Sequence, residues 1–376
     1  MEPKYLHIVS LDVPIPADYG GVIDIYYRAK AIKELGVKII LHCFEYGRSI
    51  HQDFSEIADE VYFYKRNKTI IDVLKSKPFI VSTRKSQTLI ARLLKDDHPI
   101  LMEGHHCAGL LNDSRLKNRK RFVRIHNIEW KYYKALSESK TSYWKKLFFK
   151  NESKKLKRFD STLALADGLF CLSSTELKYF QNINPASYLW SVGCSLLKEV
   201  DFPTENYALF HGNLSVPENE KALRWIVDVW VKNKLTMPLV VAGKNPKTDL
   251  KKLLETNSFI KLFQNPSNEK MTQLIGAAKV NLLITFQSTG VKLKLLNALI
   301  QGKRCIVNPL MVEGTDLGLF CDVVHDEKDL AKALQTEENK PFSEQDLEAR
   351  LEYLNANFDV LKNSQHALKI MGINPL

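Results

Sequence analysis

The stretch Ile284 to Arg304, ITFQSTGVKLKLLNALIQGKR, constrains the fold of this chain more than any other. Val280 to Thr285 reads as a buried strand, Gln287 to Gly290 as a polar loop with one glycine, and the remainder as an amphipathic helix. Val291, Leu295 and Ala298, flanked by Leu293, Leu296 and Leu299, supply the helical period, and Gly302 stands just past the end as a stop signal. The first turn carries Lys292 and Lys294, which oppose the positive end of the helix dipole. Either both lysines are simply solvated, or an anion bound at the free backbone N–H groups compensates them.

A βα rhythm runs through the rest of the chain, and it runs twice. Residues 5–10 form an apolar strand, followed by a loop ending in Gly20-Gly21, a helix from about Val22 to Leu35, and a strand from Val37 to Phe44. Such a βαβ opening predicts a parallel α/β sheet. Strand-like runs recur at Glu60–Tyr64, Phe79–Ser82, Pro99–Met102 and Arg121–Ile125, then in 166–180 before a helix capped by Ser173 or Ser174. The polar stretch Leu197 to Tyr207 reads as a linker. The rhythm restarts with a strand Ala208–His211 before Gly212-Asn213 and a helix from Asn219 to Val231. Strands follow at Pro238–Ala242 before Gly243-Lys244, near Ile260–Phe263 before Gln264-Asn265, and at Cys305–Asn308. Ser343 to Met371 reads as one long helical segment.

The chain has 376 residues, which is long for a single core and suits two domains. Six cysteines, at 43, 107, 171, 194, 305 and 321, include no C-x-x-C pair. Their apolar contexts predict buried, reduced thiols and a reducing compartment. The start MEPKYLHIVSLDV enters a strand directly, without the basic and apolar regions of a secretion signal. No apolar run approaches the roughly 20 residues of a membrane span. A formal charge of +11 implies an anionic partner. With no zinc-finger or RNA-recognition signature, nucleic acid ranks below phosphorylated small molecules and an acidic membrane surface.

Two strand ends carry chemically capable side chains, Glu103-Gly104-His105-His106 and His126-Asn127-Ile128-Glu129. Strand C-termini are where open α/β sheets place their sites. Adjacent histidines on a strand point to opposite faces, so His105 and His106 are read as structural. Between Ser139 and Asp160 lysines alternate with Tyr143, Trp144, Leu147, Phe148 and Phe149. That pattern fits either an interfacial helix on anionic lipid or a core-packed helix with a solvated basic face.

Taken together, GNL-x-x-P-x-N at 212–219, AGKNP at 242–246 and TGVKLKLLNAL at 289–299 resemble the donor-binding half of GT-B glycosyltransferases. The likeness is greatest to the retaining, family-4-like group (glycosyl transferases group 1). It implies two Rossmann-like α/β domains facing across a cleft: an acceptor domain at 1–200, a nucleotide-sugar domain at 201–345, and a last helix at 346–376 crossing back. It implies transfer of a sugar, with retention, from a nucleoside-diphosphate sugar to a glycan or lipid-linked acceptor. Gly20 and Gly21 would face the donor diphosphate, and the loop at Gln264 and Asn265 would lie against the base. Gly212, Asn213, Lys244, Thr289, Gly290, Val291, Lys292 and Asn297 would complete the donor site. His126 and Lys294 would carry catalysis, His126 touching the sugar and Lys294 neutralising the leaving group.

The pattern departs from the family at three places. Thr289 and Asn297 stand where two glutamates are usual, and Asn213 where arginine is usual. No D-x-D occurs in the sequence, so no metal and no cofactor beyond the donor substrate is expected. The implied setting is cytoplasmic, with peripheral contact to the inner face of the cell membrane through 143–158. Two other readings remain open: a nucleotide-sugar 2-epimerase of the same fold, using Glu103 and Glu129, and a non-catalytic nucleotide-binding scaffold.

Overall fold

A computed structural model describes residues 4–17, 19–139, 142–193, 202–286, 293–337 and 342–374. The chain divides into two compact units, Met1–Gly193 with Phe358–Leu376, and Cys194–Asn357.

The first unit is built on a seven-stranded sheet, β1 (Lys4–Ser10), β2 (Val37–Glu45), β3 (Glu60–Lys65), β4 (Ile100–Glu103), β5 (Arg121–Ile125), β6 (Gly168–Cys171) and β7 (Ser187–Leu189). Their spatial order is β3-β2-β1-β4-β5-β6-β7, and each neighbouring pair is parallel. Parallel sheets are covered on both faces. That is why ILME in β4, RFVRI in β5 and GLFC in β6 are buried at every position. Alternate residues feed two cores: Val9, Met102, Val123 and Leu169 on one face, Ile8, Leu41, Leu101 and Phe170 on the other. The second of these cores also takes Ala367, Leu368 and Met371 from the end of the chain.

The second unit repeats the plan with β8 (Glu205–Asn213), β9 (Leu239–Lys244), β10 (Ile260–Gln264), β11 (Ala278–Leu283), β12 (Arg304–Val307) and β13 (Asp322–Val323). The order is β10-β9-β8-β11-β12-β13, again parallel throughout. In both sheets the chain reverses its direction of winding beside the first strand, between β1 and β4 and between β8 and β11. Doubly wound sheets bind ligands in the crevice beyond the strand ends at such a point.

Three expectations need correction. Phe79–Ser82 is one turn of helix, not a strand. The Ser82 and Thr83 hydroxyls donate back to the carbonyls of Pro78 and Phe79, and a four-residue apolar run carries no period to decide between the two. The tail forms two helices, Glu344–Asn357 in the second unit and Val360–Ile370 in the first. Asp359 breaks the run by accepting from the N–H groups of Leu361 and Lys362 at 2.8 and 3.0 Å, an N-cap that starts a new helix. The end of the expected linker, from Glu205, already belongs to β8. Cys43, Cys107, Cys171 and Cys305 are buried free thiols and Cys321 is half-buried.

Candidate functional site

In the first unit, the ends of β4 and β5 and the helix Gly20–Glu34 converge on a buried ionic cluster. Glu103, the last residue of β4, is fully buried. Its Oε1 accepts from Arg28 Nη2 at 2.8 Å, and its Oε2 lies 2.9 Å from Nε2 of His126, the residue after β5. Asp24, one helical turn before Arg28, accepts from Nε and Nη2 of Arg124 at 3.1 Å each. Both guanidinium groups lie over the Trp190 ring, at 5.0 and 5.1 Å from its centroid, and Arg124 also donates to the Trp190 carbonyl.

Two carboxylates and two guanidinium groups balance, and the energetics depend on that balance. Burial alone raises a carboxyl pKa. For Asp24, Arg124 and Arg28 overcome burial and hold the group down to about 2. For Glu103, burial is likewise outweighed, by Arg28 and the hydrogen bond with His126, so its pKa lies below the usual glutamate value. Glu103 therefore presents an ionised acceptor that orients the His126 ring. Gly104 makes the arrangement sterically possible. Its φ of +64° suits glycine, and a Cβ there would meet His106 Nδ1 at 3.0 Å and His126 Cδ2 at 3.4 Å.

His105 and His106 lie on a short helix, Gly104–Cys107, not on a strand, so opposite strand faces do not separate them. His105 Nε2 is 2.8 Å from Asp160 Oδ1, and Tyr179 donates its hydroxyl to Asp160 Oδ2 at 2.7 Å. That chain is a buried structural tie. Glu129 opens the helix Glu129–Ser139 as expected, and burial raises its pKa. Gly20 and Gly21 begin the first helix, which has no side-chain cap and no acid in its first turn. Tyr19, just before them, donates to Asp12 Oδ2 at 2.9 Å.

Asp24, Glu103 and His126 also place three ligand-type atoms within 4.8 Å of one another. A cation there would have to displace Arg28 and Arg124 from both carboxylates. The residues do not fit a metal; they form a closed ion-pair cluster.

In the second unit, the ends of β8, β9 and β10 make one continuous rim. Gly212 stands opposite Gly243, Asn213 opposite Lys244, and Gly243 opposite Gln264. Gly243 allows the closest approach, since a Cβ there would come within 2.1 Å of the Gly212 carbonyl oxygen. Asn265 and Asn245 both adopt φ of 51°, and Asn245 N–H donates to Asn265 Oδ1 at 3.1 Å. Asn213, Lys244, Gln264 and Asn265 are exposed on this rim.

Lys294, on the helix Leu293–Gln301, reaches the same rim. Its Nζ lies 3.4 Å from Asn219 Oδ1 and 5.5 Å from the centre of the Phe210 ring. Asn219 Nδ2 donates in turn to the Asn213 carbonyl at 3.0 Å, so Asn219 bridges the end of β8 to Lys294. Sequence reasoning gave Asn219 no role, although it is the last residue of the GNL-x-x-P-x-N motif. His211, beneath the rim, is buried, and among the described residues its Nε2 has no hydrogen-bond partner. Burial, and then Lys294, depress its pKa to about 3. Asn297 is exposed on the same helix, whose buried side is Leu295, Leu296 and Leu299. Thr289, Gly290, Val291 and Lys292 lie outside the described residues. Just before them, Thr285 is clamped by Asn308, which accepts from its N–H at 3.1 Å and donates to its carbonyl at 2.6 Å.

The structure thus gathers Gly212, Asn213, Lys244, Gln264, Asn265 and Lys294 at the second unit's strand ends. It places His126, Gly20 and Gly21 at those of the first. Two Rossmann-like units of this topology make the GT-B fold, and solved structures agree with it over nearly the whole chain. Sucrose-phosphate synthase from Thermosynechococcus elongatus superposes with a TM-score of 0.70, at 13% identity, covering 98% of each chain. HepE from Anabaena, solved with UDP and glucose, gives 0.67 at 11% identity, covering 98% of this chain and 99% of its own. The family model described as Glycosyl transferases group 1 matches residues 205–336, from the start of β8 into the helix Glu327–Glu337. An uncharacterised 44.6 kDa protein in the cps region of Klebsiella pneumoniae is 27% identical over 327 residues, covering 82% of this chain and 84% of that protein.

Proposed function

We propose that this glycosyltransferase moves a hexosyl group from a nucleoside-diphosphate sugar to a glycan or lipid-linked acceptor in polysaccharide biosynthesis, with retention and without a metal. The observation that carries the reading is the rim of the second unit, where Lys294, tied through Asn219 to the end of β8, stands beside Lys244 and two glycines. Departure of a nucleoside diphosphate builds negative charge that fixed cations stabilise, and glycines let a backbone approach the phosphates. The HepE complex with UDP and glucose supports the donor class, and the relative in a cps region supports the pathway. An epimerase would need Glu103 free to exchange protons, whereas Arg28 and His126 engage both its oxygens.

We also read the helix Tyr143–Phe159 as a contact with an anionic membrane surface. Tyr143, Trp144 and Leu147 are exposed at 66, 78 and 41%, beside exposed Lys145, Lys146, Lys150 and Lys154. Its far end is anchored: Leu156 and Phe159 are buried, and Lys155 pairs with buried Glu152 at 2.7 Å. Among the described residues no helix is long and apolar enough to cross a membrane.

The test incubates purified protein with UDP-, GDP- and ADP-hexoses and an extract of lipid-linked oligosaccharides, with and without chelator, and follows nucleoside diphosphate release. Release with one donor, unchanged by chelator and yielding a product of the donor's anomeric configuration, is expected. Strict dependence on manganese or magnesium would remove the metal-free mechanism. Donor binding without any turnover would make the protein a scaffold.

A further inference from the structure

β12 and β13 pair in parallel, with Ile306 opposite Asp322 and Val307 opposite Val323. One step earlier on each chain stand Cys305 and Cys321, the latter extended at φ −134°, ψ 150°. Residues directly opposite on neighbouring strands lie about 4.8 Å apart and point to one face. A disulfide spans Cα separations of roughly 4.4–6.8 Å. Both are free thiols, and Cys321 Sγ donates to the Leu317 carbonyl at 3.3 Å. Both line a cavity of about 350 Å³ with Arg304, Phe320, Phe342 and Arg350.

Arg350 gives the pair its chemistry. The residue is 2% exposed, and its terminal nitrogens donate to the carbonyls of Lys303 and Gly302 at 2.6 Å each. Its guanidinium lies 5.2 Å from the centre of the Phe342 ring. Among the described residues no carboxylate forms an ion pair with it. Asp346 lines the same cavity and acts on Arg350 from a distance, and a buried cation favours a neighbouring thiolate. The neighbouring Cys321 thiol, with Arg350 working against burial, draws the Cys305 thiol below its usual pKa, while Cys321, beside Cys305 and buried, keeps its proton.

We propose that Cys305 and Cys321 form a thiol–disulfide exchange site, which admits a small-molecule disulfide through this cavity and closes to an intrachain disulfide. The Cys305 thiolate attacks one sulfur of the disulfide, forming a mixed disulfide and expelling one thiolate. That thiolate takes the Cys321 proton, and the Cys321 sulfur then attacks Cys305 Sγ and expels the second thiolate. The two protein thiols are oxidised and one external disulfide is reduced to two thiols. Closure ties the two-residue edge strand β13 to β12. It also encloses Asn308, whose amide holds Thr285 at the end of β11.

The experiment treats the full-length protein with oxidised glutathione at neutral pH, alkylates it without reduction and digests it with trypsin. Cleavage after Arg304 and Lys328 leaves both cysteines in one peptide. That peptide should be unalkylated and lighter by two hydrogens, and dithiothreitol should restore it. Closing a loop of this length should raise the melting temperature by about 5–10 °C, and Cys305→Ser and Cys321→Ser should each abolish the rise. The proposal is overturned if both thiols alkylate as fully after treatment as before, or if glutathione stays attached without ring closure. The mass readout needs only the wild-type chain, so an unstable variant cannot obscure it.

Discussion

Glu103 Oε2 lies 2.9 Å from Nε2 of His126, while Oε1 of the same carboxylate is held by Arg28 at 2.8 Å. A fully buried glutamate thus sets the orientation of a histidine that keeps only a small exposed edge, at 8%. Orientation by a fixed carboxylate partner is how a histidine's two ring nitrogens acquire distinct roles.

Glu103→Gln should therefore affect both stability and turnover. An amide cannot balance Arg28, and breaking a buried pair from one side costs about 3–5 kcal/mol. Urea denaturation should show a loss of that order, and the surviving folded protein should turn over about 10-fold more slowly or worse. Wild-type turnover by folded Glu103→Gln would remove His126 from the reaction.

Lys294 and Asn297 share a helix and should behave differently. Lys294→Ala should lower kcat more than it raises KM for the donor, because the charge it faces grows towards the transition state. A charge-assisted contact is worth roughly 1.5–3 kcal/mol, or about one to two orders of magnitude in rate. Asn297→Ala should act mainly on KM, since a ribose contact changes little during reaction. Full activity in Lys294→Ala together with its loss in His126→Ala would move the chemistry away from the second unit's rim.

The membrane reading predicts that changing Lys145, Lys146, Lys150 and Lys154 to Glu abolishes sedimentation with phosphatidylserine-containing vesicles. Each basic contact contributes about 1 kcal/mol near such a surface. Circular dichroism should be unchanged, because all four lysines are exposed. Equal sedimentation before and after would mark the basic face as merely solvated.

Acid should destabilise both units through buried neutral histidines. His42, between His7 and Tyr64 at 2.9 and 2.8 Å, is depressed to about 3 by burial and then by His7 and Arg92. His211 is depressed to about 3 by burial and Lys294. With folded values below the unfolded one of about 6.5, the unfolded chain takes up the protons first. Their contribution is complete above about pH 6.5 and is lost progressively down to about pH 3, the loss reaching about 3 kcal/mol per histidine near pH 4.5. Thermal melts from pH 7 to pH 4 should fall accordingly, and His211→Gln should flatten part of the decline. A flat profile in the wild-type chain would contradict this.

Much of this protein follows from local pattern. A run such as RFVRI or GLFC is a buried strand wherever it sits, because apolar runs bounded by turns need both faces covered. Repetition of such runs before and after residue 200 was enough to anticipate two α/β units. The rim residues Gly212, Lys244 and Gln264 were legible for the same reason: each directly follows or ends a strand, where doubly wound sheets bind. Ionic partnership was not legible. Asp24 meets Arg124 across 100 positions and Arg28 meets Glu103 across 75, and no spacing rule reaches that far. Asn219 gains its meaning only because Lys294 arrives from 75 residues away. Cys305 and Cys321 become a pair only through the register of β12 with β13. Periodicity reports which side of an element is buried; pairing, charge balance and register depend on which elements become neighbours, and only the folded chain decides that.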